Sequence, residues 1–244
     1  MKKILQSFLQ KILGYENYLF YFSRAKISFF KGQAFEPEFF EFMNLIPAGT
    51  ILDVGANIGI TTIPFAQKFP KERIHAFEPI PSNCNALERI VKFYKVNNAQ
   101  LHKIALGEEN GILKLVTPII KGVRMQGLSH AYVEELQDDW NTGDICEIPM
   151  SKLDDVSVLQ TEKKIVAIKI DVENFEYHVL KGARQILLQH KPVIYCELWP
   201  NENRNIVIDF LKELGYSVKV FEGSQLIDFT DQKKTNFIFT PKTT

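Results

Sequence analysis

The stretch Asp53-Val54-Gly55-Ala56-Asn57-Ile58-Gly59, followed further on by Glu78-Pro79, constrains the fold of this chain more than any other feature. Apolar Ile51-Leu52 leads into it, so it reads as the end of a buried strand, a tight glycine loop and a helix start. Glu78 then stands at the tip of the next strand. In an open α/β sheet such a unit binds an adenosine nucleoside through its ribose diol. The glycine spacing decides which kind. A dinucleotide fold uses Gly-x-Gly-x-x-Gly, so that backbone amides can approach a pyrophosphate. Here Asn57 stands two residues after Gly55, and its side chain hinders that approach. The loop suits a nucleoside ligand with no phosphate, such as S-adenosylmethionine.

From Thr50 onward strands and helices alternate. Strands are predicted at 51–54, 73–77, 100–106, 165–170, 192–198, 216–221 and 235–240. Ile165-Val166-Ala167-Ile168-Lys169-Ile170 has the near-continuous apolar character of a parallel strand buried on both faces. A helix opens at Pro81-Ser82, with Ser82 as its cap and Leu87, Ile90, Val91 and Tyr94 inward. A second runs from Glu176 to Gln189 and stops before Pro192; a third runs from Asn203 to Leu214, with Gly215 just past its end. Pro64 requires the helix after Gly59 to start late, capped by Thr61 or Thr62, or to be kinked. Residues 117–144, with Gly122, Gly127 and Gly143, are the least regular part. A long irregular insert in an α/β domain is usually functional or mobile.

Residues 1–47 form a preface. Ile4, Leu5, Phe8, Leu9, Ile12 and Leu13 make one helical stripe, and Gly14 is its stop. An aromatic-rich segment follows from Tyr15 to Phe42. We expect this preface to pack on the main domain as an N-terminal cap; the basic end and apolar stripe also permit a membrane-surface helix or a homodimer face, with too low a charge in the sequence to favour the membrane. Lys plus Arg and Asp plus Glu both total 29, so no global charge attracts nucleic acid, and no nucleic-acid partner is expected. The three cysteines, Cys84, Cys146 and Cys196, are an odd number without metal-ligand spacing. No stretch is apolar enough to span a bilayer, and the basic start lacks a signal-peptide cleavage site. These features together lead us to expect a cytoplasmic protein.

In an open α/β sheet the ligand sits beyond the carboxyl ends of the strands, where strand order reverses. Asp53, Glu78, Ala105, Asp171 and Glu197 all fall at or near such ends. Gly55 lets the backbone approach the ligand, and Gly59 permits tight packing of the following helix. Glu78, with Pro79 fixing the chain's exit, accepts hydrogen bonds from a ribose diol. Asp53 either caps the turn or receives the ligand's ammonium, and Asn57 bonds either the loop or the ligand. Ionisable side chains are dense just beyond a strand tip in Asp171-Val172-Glu173-Asn174-Phe175-Glu176. Methyl transfer to a hydroxyl needs a base for the departing proton, and Asp171 is the first candidate, with Glu173 beside it. Glu176 is read as an acid favouring the N-terminus of the next helix. His130, in the irregular insert, is a third candidate base if that loop folds over the crevice. Asp171 and Glu197 could share a divalent cation, but no spacing demands one, and a sulfonium is already activated; no metal is expected. His75, His102 and His178 have no partner recognisable in sequence.

Together these residues resemble the FkbM family of S-adenosylmethionine-dependent methyltransferases, with the class I methyltransferase fold. The matching elements are Asp53 to Gly59, Ala76-Phe77-Glu78-Pro79, Ala105-Leu106-Gly107, Leu153-Asp154-Asp155, Lys169-Ile170-Asp171-Val172-Glu173, Val179-Leu180-Lys181-Gly182-Ala183 and Glu197-Leu198. They occur in the family's order over roughly residues 48–221. One position departs: the family usually reads Asp-Val-Glu-Gly, and Asn174 replaces that Gly. Asn tolerates a left-handed backbone, so the turn survives. The resemblance implies a Rossmann-like α/β fold at 48–244, with a central, mostly parallel seven-stranded sheet flanked by helices. It implies that Gly55, Ala56, Asn57, Gly59, Glu78, Pro79 and Ala105 surround the cofactor, with Asp171 at its methionine end. It also implies O-methyl transfer to a hydroxylated acceptor: a sugar, glycan or glycolipid, or else a secondary metabolite. Two further readings compete with it, a catalytically inactive nucleoside-binding scaffold and a nicotinamide-dependent dehydrogenase.

Overall fold

The computed structural model describes residues 2–30, 36–136 and 138–242. Residues 31–35 of the expected aromatic cap and Gln137 of the expected insert lie outside them. The chain begins with three helices, α1 (Lys2–Leu13), α2 (Tyr15–Phe30) and α3 (Pro37–Leu45). Alternation follows: β1 (Thr50–Val54), α4 (Thr62–Lys68), β2 (Ile74–Phe77), α5 (Pro81–Phe93) and β3 (Ala99–His102). Five strands then interrupt it: β4 (Ala105–Leu106), β5 (Gly111–Ile120), β6 (Val123–Arg124), β7 (His130–Ala131) and β8 (Gly143–Ser151). It resumes with β9 (Ile165–Ile170), α6 (Glu176–Lys181), α7 (Arg184–His190), β10 (Val193–Glu197) and α8 (Glu202–Glu213). The last strands are β11 (Tyr216–Glu222), β12 (Gln225–Asp228) and β13 (Asn236–Pro241).

The main sheet has the order β12-β11-β13-β10-β9-β1-β2-β3. From β10 to β3 all pairs are parallel, while β13, β11 and β12 are antiparallel. The expected seven-stranded sheet is therefore a mixed sheet of eight. The added strand is β12, joined to β11 by the two-residue turn Gly223-Ser224, a hairpin signal that the sequence carried. Strand order reverses at β1, which has β2 on one side and β9 on the other. That is where a ligand crevice opens in such sheets.

Alternation along the buried strands sends side chains to opposite faces. Ile51, Ile74, Ala167 and Tyr195 meet Phe39 and Phe42 of α3 and Phe65 of α4. Leu52, Val54, Ile168, Ile170 and Ile194 face α6, α7 and α8, whose Val179, Leu180, Leu187, Val207 and Leu211 are buried. Several local expectations change. Helix α5 starts at Pro81, with Ile80 rather than Ser82 in the cap position. The predicted helix from Glu176 to Gln189 is two helices. The Asp154 carboxylate accepts the N–H groups of Gln185 and Ile186 at 2.8 and 3.0 Å, which caps a new helix there. Helix α4 does start late, so Pro64 falls in its first turn, where its missing N–H costs nothing.

The predicted strand 100–106 ends at His102. Ala105 and Leu106 pair instead with β8, in a second sheet of order β4-β8-β5-β6 with β7 on β5. The insert expected to be irregular is built on a long antiparallel hairpin, in which Gly111 to Pro118 of β5 face Met150 to Gly143 of β8. The excursion from β6 through β7 folds back over the crevice. In the preface, α2 packs on α5 and anchors the glycine loop: Ser23 Oγ, fully buried, donates to the Ile58 carbonyl at 2.7 Å. Helix α1 is different. Only Leu9 and Leu13 of its stripe are partly buried, whereas Ile4, Leu5, Phe8 and Ile12 are 57–76% exposed. No helix among the described residues is long and apolar enough to cross a membrane.

Candidate active site

The tip of β1 and the tip of β9 are in direct backbone contact. A Cβ added to Gly55 would stand 1.9 Å from the Asp171 carbonyl oxygen, and Gly55 has φ +75°. Glycine is required there so that the two strand ends meet, which is a different reason from the ligand approach expected above. Gly59 packs tightly, as expected, but against α5: an added Cβ would meet Leu87 Cδ1 at 2.6 Å.

Glu78 is the fixed point of the site. It is 4% exposed. Its Oε2 accepts the Asn57 backbone N–H at 2.8 Å, and its Oε1 accepts the Ile80 N–H at 2.9 Å and Asn83 Nδ2 at 3.2 Å. Burial pushes its pKa up to about 7 against the lowering effect of these bonds. A carboxylate offers about four acceptor positions. The free one is on Oε2, and a second ligand hydroxyl reaches Oε1 only by displacing Asn83, the longest of the three bonds. Nearby, Asn57 Oδ1 and Asn83 Oδ1 are buried acceptors without a partner.

Asp53 does not reach this crevice. It is fully buried on the α4 face, where Thr61 and Thr62 hydroxyls donate to its carboxylate at 2.6–3.0 Å. Its carboxylate is thereby satisfied by side chains at the start of α4. Ala56 is likewise turned away, packed with Ala76 and Leu87. Lys169, given no role from sequence, lies between the acids. Its Nζ donates to the Gly55 carbonyl at 2.9 Å and stands 3.8 Å from Asp53 Oδ1 and 3.5 Å from Asp171 Oδ2. Burial pulls its pKa down, but Asp171 and Asp53 outweigh that and hold it above its ordinary value. A lone lysine inside the apolar run of β9 was the available signal, because a buried ammonium needs carboxylate partners.

Beyond β9 the chain turns through Glu173 and Asn174, both left-handed at φ 52° and 73°. Glu176 holds this turn: its Oε1 accepts the Val172 and Asn174 N–H groups at 3.3 and 3.1 Å, and its Oε2 accepts Asn203 Nδ2 at 2.7 Å. Asn174 is exposed and bonds Asn201. Glu173 Oε2 is buried without a partner. Burial, with Asp171 and Glu197 nearby, pushes the Glu173 pKa up to about 9. That shift favours the neutral form of the carboxyl. Glu197, which the cavity does not include, is raised to about 7 mainly by burial and Asp171. Among the described residues no acid, His or Cys cluster has the arrangement of a metal site.

His130 comes from the far side, carried in by β7 on β5. It is 7% exposed and stacks on Trp140 at 4.7 Å between ring centroids. Its Nδ1 is 2.9 Å from the Leu128 carbonyl, which can only accept. In the neutral imidazole the proton is therefore on Nδ1 and the lone pair on Nε2. Nε2 is buried and has no partner among the described residues. The other histidines also have partners: His75 pairs with His102 and Glu162, and His178 with Glu108.

These groups line one cavity. Gly55, Asn57, Glu78, Pro79, Ala105, Asp171, Glu173 and His130 all contribute to its wall, together with Asn83 and apolar Phe77, Ile80, Ile104 and Leu106. The space inside, including the solvent-facing mouth, is about 690 Å³. The insert closes one side through Gln126, Gly127 and Ser129.

Comparison with known proteins follows the same residues. The model of the Methyltransferase FkbM domain matches residues 53–218. Methyltransferase 1 of Beauveria bassiana (strain ARSEF 2860) is 28% identical over 146 residues, covering 54% of this chain and 57% of the relative. The 31-O-demethyl-FK506 methyltransferase FkbM of Streptomyces tacrolimicus is 28% identical over 160 residues, covering 57% and 61%. The chain thus matches less than two thirds of the length of either relative. The crystal structure of methyltransferase FkbM from Methylobacillus flagellatus KT aligns with a TM-score of 0.53 at 18% identity, over 80% of this chain and 45% of that one. That likeness is one of fold.

Proposed function

The chain belongs to the FkbM methyltransferase family, and from that premise we propose that it transfers a methyl group from S-adenosylmethionine to a hydroxyl oxygen. One observation carries this reading: a single cavity is lined both by the buried, positioned Glu78 and by His130, whose Nε2 has no partner among the described residues.

The residues present fit the cofactor. At the Glu78 end, a free carboxylate acceptor and the orphaned Asn57 Oδ1 and Asn83 Oδ1 call for ligand donors. An adenosine offers hydroxyl and amino donors, and Phe77, Ile80, Ile104 and Leu106 supply apolar walls for its base. At the other end, Asp171 faces the cavity with Lys169 behind it, and its remaining acceptor capacity suits an ammonium. When bound, S-adenosylmethionine supplies an electrophilic methyl on a sulfonium, which needs no metal for activation.

The chain's own residues do the rest. His130 Nε2 accepts the proton that the acceptor hydroxyl loses as its oxygen forms the new bond to carbon. Its tautomer is set in advance by Leu128, and Trp140 stacks on the ring. Protonated Glu173 donates to the acceptor and orients it. Glu176 fixes the turn that presents Glu173.

We assign the acceptor to the sugar and glycan class. Gln126, Ser129 and His130 give the insert side of the cavity hydrogen-bonding groups for neighbouring hydroxyls. A hydroxyl of a secondary metabolite is the second reading. The apolar Leu113 and Leu115 on the same side favour it, as does the name of the Streptomyces relative, which describes a methyltransferase of 31-O-demethyl-FK506. An inactive scaffold is disfavoured, because Asn174 keeps the left-handed turn and points out of the cavity. The test is formation of S-adenosylhomocysteine from S-adenosylmethionine across a panel of sugars, glycolipids and macrolides, with wild type and His130→Gln. Turnover on one panel class, lost in the variant, supports the proposal. Cofactor binding without turnover on any member would favour the scaffold.

A further inference from the structure

A helix at a protein surface normally turns its apolar stripe inward. In α1 the reverse holds for most of the stripe. Ser7, Leu9, Gln10 and Leu13 face the body, and Ile4, Leu5, Phe8 and Ile12 face solvent. Ile4, Phe8 and Ile12 form one i, i+4, i+8 row with Leu5 beside it, so the exposed apolar surface is continuous. The helix is held in this orientation by polar contacts. Ser7 Oγ donates to the Gly122 carbonyl at 3.2 Å, and Gln10 makes two bonds with the Arg124 backbone at 3.1 Å each. The outward stripe is therefore a fixed feature of the surface.

The charge on the helix itself has one sign. Helix α1 carries Lys2, Lys3 and Lys11 and no acid. Lys3 and Lys11 are exposed, and exposed Lys121 adjoins the Gly122 contact. An apolar row bordered by lysines is the pattern of a helix that lies in the plane of a bilayer interface, with lipid phosphates meeting the ammonium groups.

We propose that α1 docks this face on an anionic lipid surface. The charge selects a membrane over a second copy of the chain, because apposing two such faces would bring the lysines of two α1 helices together. The position has a consequence for the site. Arg124, which α1 grips, leads directly into Gln126–His130 on the cavity wall, so docking brings the insert side of the cavity towards the lipid.

Sedimentation with vesicles tests the proposal and is independent of methyl transfer. The full chain is mixed with phosphatidylcholine vesicles containing about one third phosphatidylglycerol, and with pure phosphatidylcholine vesicles. The protein should bind the anionic vesicles, more weakly at high salt, and bind pure phosphatidylcholine poorly. Phe8→Ser with Ile12→Ser, at two exposed positions, should weaken partitioning about tenfold or more with an unchanged thermal midpoint. Lys3→Gln with Lys11→Gln should weaken it as well. Folded protein that ignores anionic vesicles overturns the proposal. So does a dimer, seen by light scattering, that the Phe8→Ser, Ile12→Ser variant converts to monomer, because the stripe is then covered by a second copy.

Discussion

The carbonyl of Leu128 accepts His130 Nδ1–H at 2.9 Å, and Nε2 on the other side of this cavity-lining ring is buried without a partner among the described residues. His130→Gln retains a polar side chain but no basic nitrogen. It should lower kcat by about 10²-fold or more, the usual worth of a positioned general base. The dissociation constant for S-adenosylmethionine, read by calorimetry, should stay within about threefold of wild type, since the histidine acts on the acceptor. A variant with full kcat would remove His130 from the mechanism.

Gly55→Ala and Gly215→Ala separate steric contact from backbone strain. Both glycines have positive φ, but the Cβ at position 55 meets the Asp171 carbonyl at 1.9 Å, and at position 215 it meets nothing. Denaturant unfolding should show a loss of about 2–4 kcal/mol for Gly55→Ala, from strain and overpacking together. For Gly215→Ala the loss should be about 1 kcal/mol, from strain alone. Equal losses would show that β1 and β9 are not in the close contact described.

Stability without ligand should fall as pH rises above about 6.5. Burial raises Glu78, Glu176 and Glu197 from 4.5 to about 7 and Glu173 to about 9. A carboxyl raised on folding binds more protons folded than unfolded, so its stabilising effect is lost between its unfolded and folded pKa values. Below 6.5 the buried histidines oppose this. His102 is lowered to about 4 and His75 is lowered too, both mainly by burial, and such bases destabilise the fold as pH falls through that range. Thermal midpoints from pH 6.5 to 9 should therefore decline, and Glu173→Gln should flatten the decline above pH 7. A decline of the same slope in the variant would contradict the assigned state of Glu173.

Asn174→Gly restores the residue usual in the family. Asn174 already holds φ 73°, and its side chain accepts from Asn201 at the surface. Activity should change by less than about twofold, and stability by less than about 0.5 kcal/mol. A large gain in turnover would mean that Asn174 does impair the site.

The parts of this architecture that depend on local pattern were legible in the sequence. Strands β1, β2 and β9 were visible because parallel strands buried on both faces are apolar runs, and the acids at the strand tips follow from the topology. What escaped depends on partners distant in the chain. The split of β4 from β3 is made by pairing with β8, 45 residues on in register. The break between α6 and α7 is made by Asp154. Asp53 was open between cap and ligand until Thr61, Thr62 and Lys169 were seen around it. The place of His130 on the cavity wall depends on the pairing of β7 with β5, which no local pattern carries.

The most direct test is calorimetric titration of the protein with S-adenosylmethionine, S-adenosylhomocysteine and NAD, repeated with Glu78→Ala. The account predicts binding of the first two and not of NAD, weakened about tenfold or more by the substitution, since Glu78 loses every contact it makes to the ligand and to Asn57. A preference for NAD, or no adenosine ligand bound by folded protein, would contradict it.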